Sequence, residues 1–564
     1  MSAVTTEPRV APTADGPRHP IDGVHYRNPA TVQRFFDSGA WSPSTVGAAL
    51  RQAALEAGDR VALVAGDERL TWADLDRRSD HVALGLLGTG LVPGDRVLVQ
   101  MGTGSAIVLA FYGCWKAGIV PVCAVPAYRA YEIGALVERS GAVAHLVEAG
   151  AAGAFDLVAF AGEQRTAHPG LRHLIVAGPG APAGGVTFAA VEAAGSAAGP
   201  RDGQSRLEAA SPGPEDVLAF QLSGGSTGVP KVIPRFHGEY LSSAAAWADR
   251  LGYSGDDVLL WPLSLAHNAG MILMLIPALV RRARLVLLSR FEPSSFLDAV
   301  ESERVTVAGS VGPIGPRLLK ADLRGRDLSS LRHFFTLNGA ADLERHLGVP
   351  CANMFGITEG LLLGSSPGDP AAARHGGVGR PASPFDEVKL VTLGGDGPVE
   401  DGVVGEFCFR GPSTLVAYYG DEEATAPAFT ADGFFRSGDL MRMTGWGYAF
   451  EGRAKDNIDR GGEKFGVAAI EELLAAHPAI TEAKVVGMPD PELGERVCAF
   501  VVLAAGHEAP TIGELSSFLL GFGLAKFKLP EHISALPELP TTAVGKLDRM
   551  ALRRLAAAAA EQDG

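Results

Sequence analysis

Val217-Leu-Ala-Phe-Gln-Leu222 runs directly into Ser223-Gly-Gly-Ser-Thr-Gly-Val-Pro-Lys231, an apolar strand-like run followed by a loop of glycines and hydroxyls that ends on a lysine. Glycines let backbone N–H groups approach phosphate oxygens, the Ser and Thr hydroxyls add donors, and Lys231 adds a positive charge. By its chemistry the loop is a phosphate cradle. It is not a P-loop, because the G-x-x-x-x-G-K-[ST] spacing is absent and Val232 follows the lysine. Glycine content alone would equally suit an ordinary Gly/Ser turn, so the reading depends on what accompanies the loop.

Strands and helices alternate on its N-terminal side. An amphipathic segment with Trp72, Leu75, Val82 and Leu84 leads to the strand-like Arg96-Val-Leu-Val-Gln100, an apolar helical stretch and the buried-strand pattern Val120-Pro-Val-Cys123. The same alternation recurs through Arg284-Leu-Val-Leu-Leu288 and Val305-Thr-Val-Ala308. This predicts an α/β fold, with a large N-terminal domain of two α/β sheet lobes whose sheets are mainly parallel. The Pro-, Gly- and Ala-rich stretch 178–214 is expected to be a long surface connection separating the lobes. Beyond Glu406, short strands with turn signals predict a small β-rich subdomain. After Asp456, Val467, Ile470, Leu473 and Leu474 at helical spacing, two strands and a helix near 512–520 predict a smaller α+β C-terminal domain.

Composition narrows the function. At 564 residues the chain exceeds one hydrophobic core, and its 47% apolar and 20% charged content is that of a globular protein. A formal net charge of −15 without a dense basic run argues against nucleic acid as partner. The longest apolar run, 269–280, is too short to cross a bilayer, so no membrane partner is expected. Five scattered cysteines, with no C-x-x-C pair, suggest neither a zinc site nor a disulfide framework and fit the cytoplasm. Residues 1–24, rich in Pro, Ala and Thr without an apolar core, are expected to be a disordered leader.

Four further strings follow the phosphate loop in order: Phe355-Gly-Ile-Thr-Glu359, Phe435-Arg-Ser-Gly-Asp439, Gly452-Arg-Ala-Lys-Asp456 and Pro540-Thr-Thr-Ala-Val-Gly-Lys546. Taken alone, each charged residue in them reads as a solvated loop residue. Together, over roughly 37–555, the five strings resemble the signatures of the adenylate-forming ligase superfamily of acyl-CoA synthetases, luciferases and nonribosomal adenylation domains. The resemblance implies that residues 25–454 form the ATP- and acid-binding domain and that residues 455–564 form a mobile domain carrying Lys546. It implies that ATP is bound by Ser223, Gly224, Gly225, Ser226, Thr227, Gly228 and Lys231, that Phe355 and Gly356 lie near adenine, and that Thr358 touches phosphate. Glu359 would hold Mg²⁺, Asp439 would accept both ribose hydroxyls, Arg453 would reach the ribose, and Lys455 would be the hinge. Ser437 stands where threonine is commoner.

Leu265-Ala-His-Asn268 and Arg460-Gly-Gly-Glu-Lys464 are closest to the aryl-acid branch, the 2,3-dihydroxybenzoate and salicylate activating enzymes of siderophore and nonribosomal peptide synthesis. That resemblance makes His267 a catalytic residue and places Asn268 against an ortho-hydroxyl. A buried amide satisfied by backbone is the plainer alternative. Leu273 stands where a small polar side chain would meet a 3-hydroxyl, Met354 and Leu362 are large for pocket walls, and Asn338 precedes Gly339-Ala340 at the floor. The expected substrate is therefore a salicylate-like acid rather than a 2,3-dihydroxybenzoate. No phosphopantetheine attachment pattern follows Lys546, so the acceptor thiol is expected in trans. A separate aryl-carrier protein is the first choice, coenzyme A is the alternative, and a catalytically silent nucleotide-binding homologue is the reading of another class.

Overall fold

The computed structural model describes residues 13–180, 184–223, 230–311, 314–392, 394–453, 457–540 and 547–563. Two large sheets organise the N-terminal part. The first has seven strands in the order Val186–Thr187, His173–Ala177, Ala144–Glu148, Arg96–Gln100, Val120–Cys123, Val217–Ser223 and Lys231–Phe236, all parallel except the last. The second has nine, with a parallel centre from Val61–Ala65 through Arg284–Leu287, Val258–Trp261, Val307–Gly309 and His333–Thr336 to Cys351–Ile357 and antiparallel edges. Parallel strands buried on both faces need continuous apolar runs rather than alternation, and these strands have them.

The helix Trp72–Gly88 shows why the sequence folds as it does locally. Thr71 and Asp74 form a reciprocal capping box, and the helix buries Trp72, Leu75 and Val82. Smaller sheets follow: an antiparallel four-stranded meander from Glu387–Val391 to Gly447–Arg453, and a C-terminal sheet of Asn457–Arg460, Glu463–Gly466, Ile480–Asp490 and Gly494–Leu503 with His532–Ala535 alongside. The C-terminal sheet has a core of its own, including Ile458, Ile470, Val485, Val501 and Leu515. Among the described residues no helix is long and apolar enough to cross a membrane.

Two expectations are corrected. Stretch 178–214 is not a loop: it carries the helices Phe188–Ser196 and Pro200–Ala210, and it does not separate the lobes, since the strands after it return to the first sheet. The glycines that suggest a loop let two helices touch instead. A Cβ on Gly195 would stand 1.7 Å from the His81 carbonyl oxygen, and one on Gly85 1.9 Å from that of Val191. Of the leader, residues 13–24 are held in place, because carboxylates distant in sequence accept their backbone N–H groups: Gly16 to Glu215 at 3.0 Å and His19 to Asp216 at 2.8 Å. Residues 1–12 lie outside the described residues.

Candidate active site

The carboxyl ends of both sheets converge on one open cavity, the place where ligands bind in open α/β sheets. Ser223, at the end of its strand, lines the cavity together with Thr358, Glu359 and Asp439. The phosphate-loop strand and the Asp439 strand therefore face one common space, although 136 residues separate even Ser223 from Glu359.

Glu359 is 6% exposed. Its Oε1 accepts hydrogen bonds from Ser223 Oγ at 3.0 Å and from the Tyr418 hydroxyl at 2.9 Å. Burial, and then the Glu359 charge, push the Tyr418 hydroxyl far above the ordinary phenol range, so it remains a donor to the carboxylate. Lys231 Nζ lies 4.1 Å from the centre of the Tyr418 ring, which brings the cation to the same end of the cavity. Tyr418 stands outside every motif string, in Val416-Ala-Tyr-Tyr-Gly420, and sequence reading missed it. Behind this group the buried Arg235 pairs with Glu239 and donates to the carbonyls of Thr358 at 3.3 Å and Ser413 at 2.9 Å, tying the Thr358 backbone to its neighbour.

Asp439 is positioned by Ser437, whose hydroxyl donates to the Phe407 carbonyl at 2.7 Å and accepts from the Asp439 N–H at 3.0 Å. Serine thus supplies the hydroxyl that threonine would. Across the meander Asp439 stands in register with Arg453.

The other end of the cavity is mostly apolar. His267, Asn268, Leu273, Met354 and Leu362 line it, with Cys123, Ile272 and Val311. The His267 Nδ1 accepts the Ala269 N–H at 3.2 Å, which puts the ring proton of the neutral form on Nε2. Gly270 has no room for a side chain, since a Cβ would stand 2.8 Å from both the Ser264 carbonyl oxygen and the Trp261 ring nitrogen. A buried π-helical turn, Met271–Leu275, follows and carries Ile272 and Leu273; such turns concentrate at functional sites. The Asn268 oxygen accepts the hydroxyl of a side chain, Tyr240.

Three expected residues lie elsewhere. Along the strand Cys351–Ile357, Met354 and Gly356 face the cavity, so alternation turns Phe355 away into the cluster of Phe407, Leu361 and Leu363. The exposed ring is Phe450, which stacks at 6.3 Å and 27° on Phe355 and lines a neighbouring cavity with Asn338 and Gly452. Gly339 and Ala340 do not line the main cavity: Gly339 caps a helix with φ +72°, and Ala340 is buried under it, while Leu337 reaches the cavity in their place. Gly224, Gly225, Ser226, Thr227, Gly228, Lys455 and Lys546 lie outside the described residues, as does the side chain of Arg453.

From the C-terminal domain, Gly462 and Glu463 complete the cavity wall. The domains are joined by the ion pair of Lys528 Nζ with Glu132 Oε1 at 2.9 Å, its side chains 2% and 0% exposed, and by the Tyr128 and Phe527 rings, stacked at 6.3 Å.

A two-sheet α/β body whose strand ends gather Ser223, Glu359 and Asp439 around one cavity is the architecture of a nucleotide-activating ligase, and the comparisons agree. The chain belongs to the family described as AMP-binding enzyme, whose model matches residues 50–419, with the AMP-binding enzyme C-terminal domain matched over 469–546. It is 36% identical over 532 residues to the salicylyl-CoA synthase / salicylate adenylyltransferase of a Streptomyces species, covering 93% of this chain and 95% of that one. It is also 36% identical over 540 residues to the salicyl-AMP ligase / salicyl-S-ArCP synthetase of Mycobacterium tuberculosis, covering 92% of both chains. The apo structure of Mycobacterium smegmatis MbtA superposes with a TM-score of 0.71 at 34% identity, over 94% of this chain and 98% of that one.

Proposed function

We propose that this chain is an ATP-dependent aryl-acid adenylating ligase that converts an ortho-hydroxylated benzoate to its aryl-AMP and passes the aryl group to a thiol presented in trans. The observation that carries the reading is that Ser223, Glu359 and Asp439 line the same cavity as Asn268 and the apolar wall of Leu273, Met354 and Leu362. One end suits a nucleotide, the other a small aromatic ring.

A carboxylate is a weak nucleophile and is repelled by a triphosphate, so cations must stand between the two. The substrate carboxylate oxygen attacks the α-phosphorus of ATP in line, the bond to the bridging oxygen breaks, and pyrophosphate leaves. By resemblance, Lys231 and the glycine-hydroxyl string before it would bind the departing phosphates, Asp439 would hold the ribose hydroxyls, and Lys546 would offset charge on the equatorial oxygens. Glu359 and the Ser223 hydroxyl are hard oxygen donors at the phosphate end, and no cluster of three metal-ligating side chains occurs among the described residues. Such a donor set fits Mg²⁺ whose other ligands are phosphate oxygens, and the ion when bound would neutralise pyrophosphate charge. In the second step a thiolate adds to the aryl carbonyl and AMP leaves. Gly462 and Glu463 on the cavity wall support an arrangement suited to that step. The relatives' names include both a carrier-protein and a coenzyme A product. We favour the carrier, and transfer from ATP and acid to free coenzyme A but to no carrier would reverse that choice.

Acid-dependent exchange of pyrophosphate into ATP tests the proposal. 2-Hydroxybenzoate is expected to exceed 2,3-dihydroxybenzoate by about tenfold or more in kcat/KM. Leu273, 1% exposed, offers a 3-hydroxyl no partner, a loss of about 1–3 kcal/mol. No exchange with any aryl acid would refute the reading and leave a silent nucleotide-binding homologue. Glu359→Gln should lower exchange by about 100-fold, as removal of one preorganised charge at a reacting phosphate does, with binding of a stable aryl-AMP analogue, checked by calorimetry, largely kept.

A further inference from the structure

Resting on the aryl-acid reading, we propose that Tyr240 fixes the Asn268 amide with its NH₂ group turned to the aryl pocket, so that the site selects acids whose ortho substituent presents a hydrogen-bond acceptor and rejects those that present a donor.

The donors and acceptors around the Tyr240 hydroxyl leave one arrangement. The Tyr240 hydroxyl donates to Asn268 Oδ1, and Tyr240 is 1% exposed. Burial raises the phenol well above its ordinary range, so it keeps its proton. On its other side stands Arg235, with its guanidinium carbon 5.2 Å from the ring centre. A guanidinium has donors only, and it cannot receive the phenolic proton. Asp386 lines the same small cavity behind Asn268, but among the described residues its Oδ1 has no hydrogen-bond partner and so does not take the proton either. The acceptor left is the Asn268 oxygen. Rotating the amide by half a turn would set NH₂ against a phenol oxygen already facing a guanidinium and would leave a buried hydroxyl proton unsatisfied. The chain therefore runs in one direction, from Tyr240 to the Asn268 oxygen, with the Asn268 NH₂ on the cavity wall.

That direction discriminates chemically. In a 2-hydroxybenzoate the hydroxyl spends its single hydrogen on the neighbouring carboxylate and shows only lone pairs outward. In a 2-aminobenzoate one N–H does the same, and the second points outward, donor against donor. Tyr240 is a positioning residue that acts through Asn268 and does not itself touch substrate. None of the motif strings contains it, and nothing in Glu239-Tyr240-Leu241 marks it in sequence.

The test is the ratio of exchange kcat/KM for 2-hydroxybenzoate over 2-aminobenzoate, measured on the full chain. The native protein should show a ratio on the order of 10–100. Tyr240→Phe frees the amide to rotate and should bring the ratio to within about threefold of one, whereas a merely structural loss would lower both acids together and leave the ratio standing. Asn268→Asp turns a carboxylate oxygen to the ring and should invert the preference; it also decides the matter if Tyr240→Phe fails to fold. A native ratio near one, or a ratio that neither substitution moves, overturns the inference. Absence of exchange with any aryl acid overturns the aryl-acid reading with it, while exchange with an unmoved ratio overturns this inference alone.

Discussion

Lys546→Ala is expected to lower acid-dependent pyrophosphate exchange by about 100- to 1000-fold, the usual loss when one preorganised charge is removed from a developing anion. The same variant should still transfer the aryl group from synthetic aryl-AMP to thiol at a rate within a few fold of the native one. The asymmetry follows from the chemistry of the two steps. Adenylation brings a carboxylate against a triphosphate and needs a cation between them; thioester formation brings a thiolate to a neutral carbonyl. From the C-terminal part, Gly462 and Glu463 are the described residues on the cavity wall. The measurement is the two half-reactions side by side. Equal loss of both would mean that Lys546 serves both steps from one position, and the alternation of domains would have to be abandoned.

Lys528→Met should do the reverse. Its ammonium is paired with Glu132 across the domain boundary at 2.9 Å, with both side chains shut off from water, and Glu132 Oε2 meanwhile accepts the Arg129 N–H at 3.0 Å. The substitution leaves a carboxylate buried without its counter-charge, a cost of about 3–5 kcal/mol for breaking a buried pair from one side. That cost falls only on the arrangement in which the two domains meet here. On the family resemblance that makes residues 455–564 a mobile domain, its turning away would return Glu132 to water. Transfer of the aryl group to thiol should therefore slow by about 100-fold or more, while aryl-AMP formation is kept. Adding Glu132→Gln to Lys528→Met should recover most of the loss, since the orphaned charge is then gone and the remaining cost is packing against Phe465 and Phe527. Additive loss in the double variant would show that the pair is not coupled and that the contact is incidental to the cycle.

Much of the architecture was legible because it is written in local patterns. Arg96–Gln100, Val120–Cys123, Val217–Ser223 and Arg284–Leu287 are apolar runs bounded by turn signals, and each is a strand. The misread segments share a cause. In 178–214 the glycines serve contact between helices, not turns, and the partner of Gly195 is the backbone around His81, more than a hundred residues earlier. Residues 13–24 lack a hydrophobic core of their own and are ordered by Glu215 and Asp216, which no local rule connects to them. At the site, the motif strings hold Ser223, Glu359 and Asp439, which line one cavity. The resemblance put Phe355 near adenine, whereas strand alternation turns Met354 and Gly356 to the cavity and Phe355 into the cluster behind it.

What the amino-acid sequence determined by itself was the inventory: a glycine-hydroxyl loop after a buried strand, a carboxylate after threonine, an aspartate after Ser437-Gly438, and His267-Asn268 before an apolar run. Spacing along one chain carries such information because each string is shaped by its own backbone. Tertiary structure alone decided which way the Asn268 amide points, that Tyr418 shares Glu359 with Ser223, and that Lys528 meets Glu132. Each of these is a pairing of polar groups removed from water, and a buried polar group takes its direction from the partner that folding brings to it, however far away that partner lies in sequence.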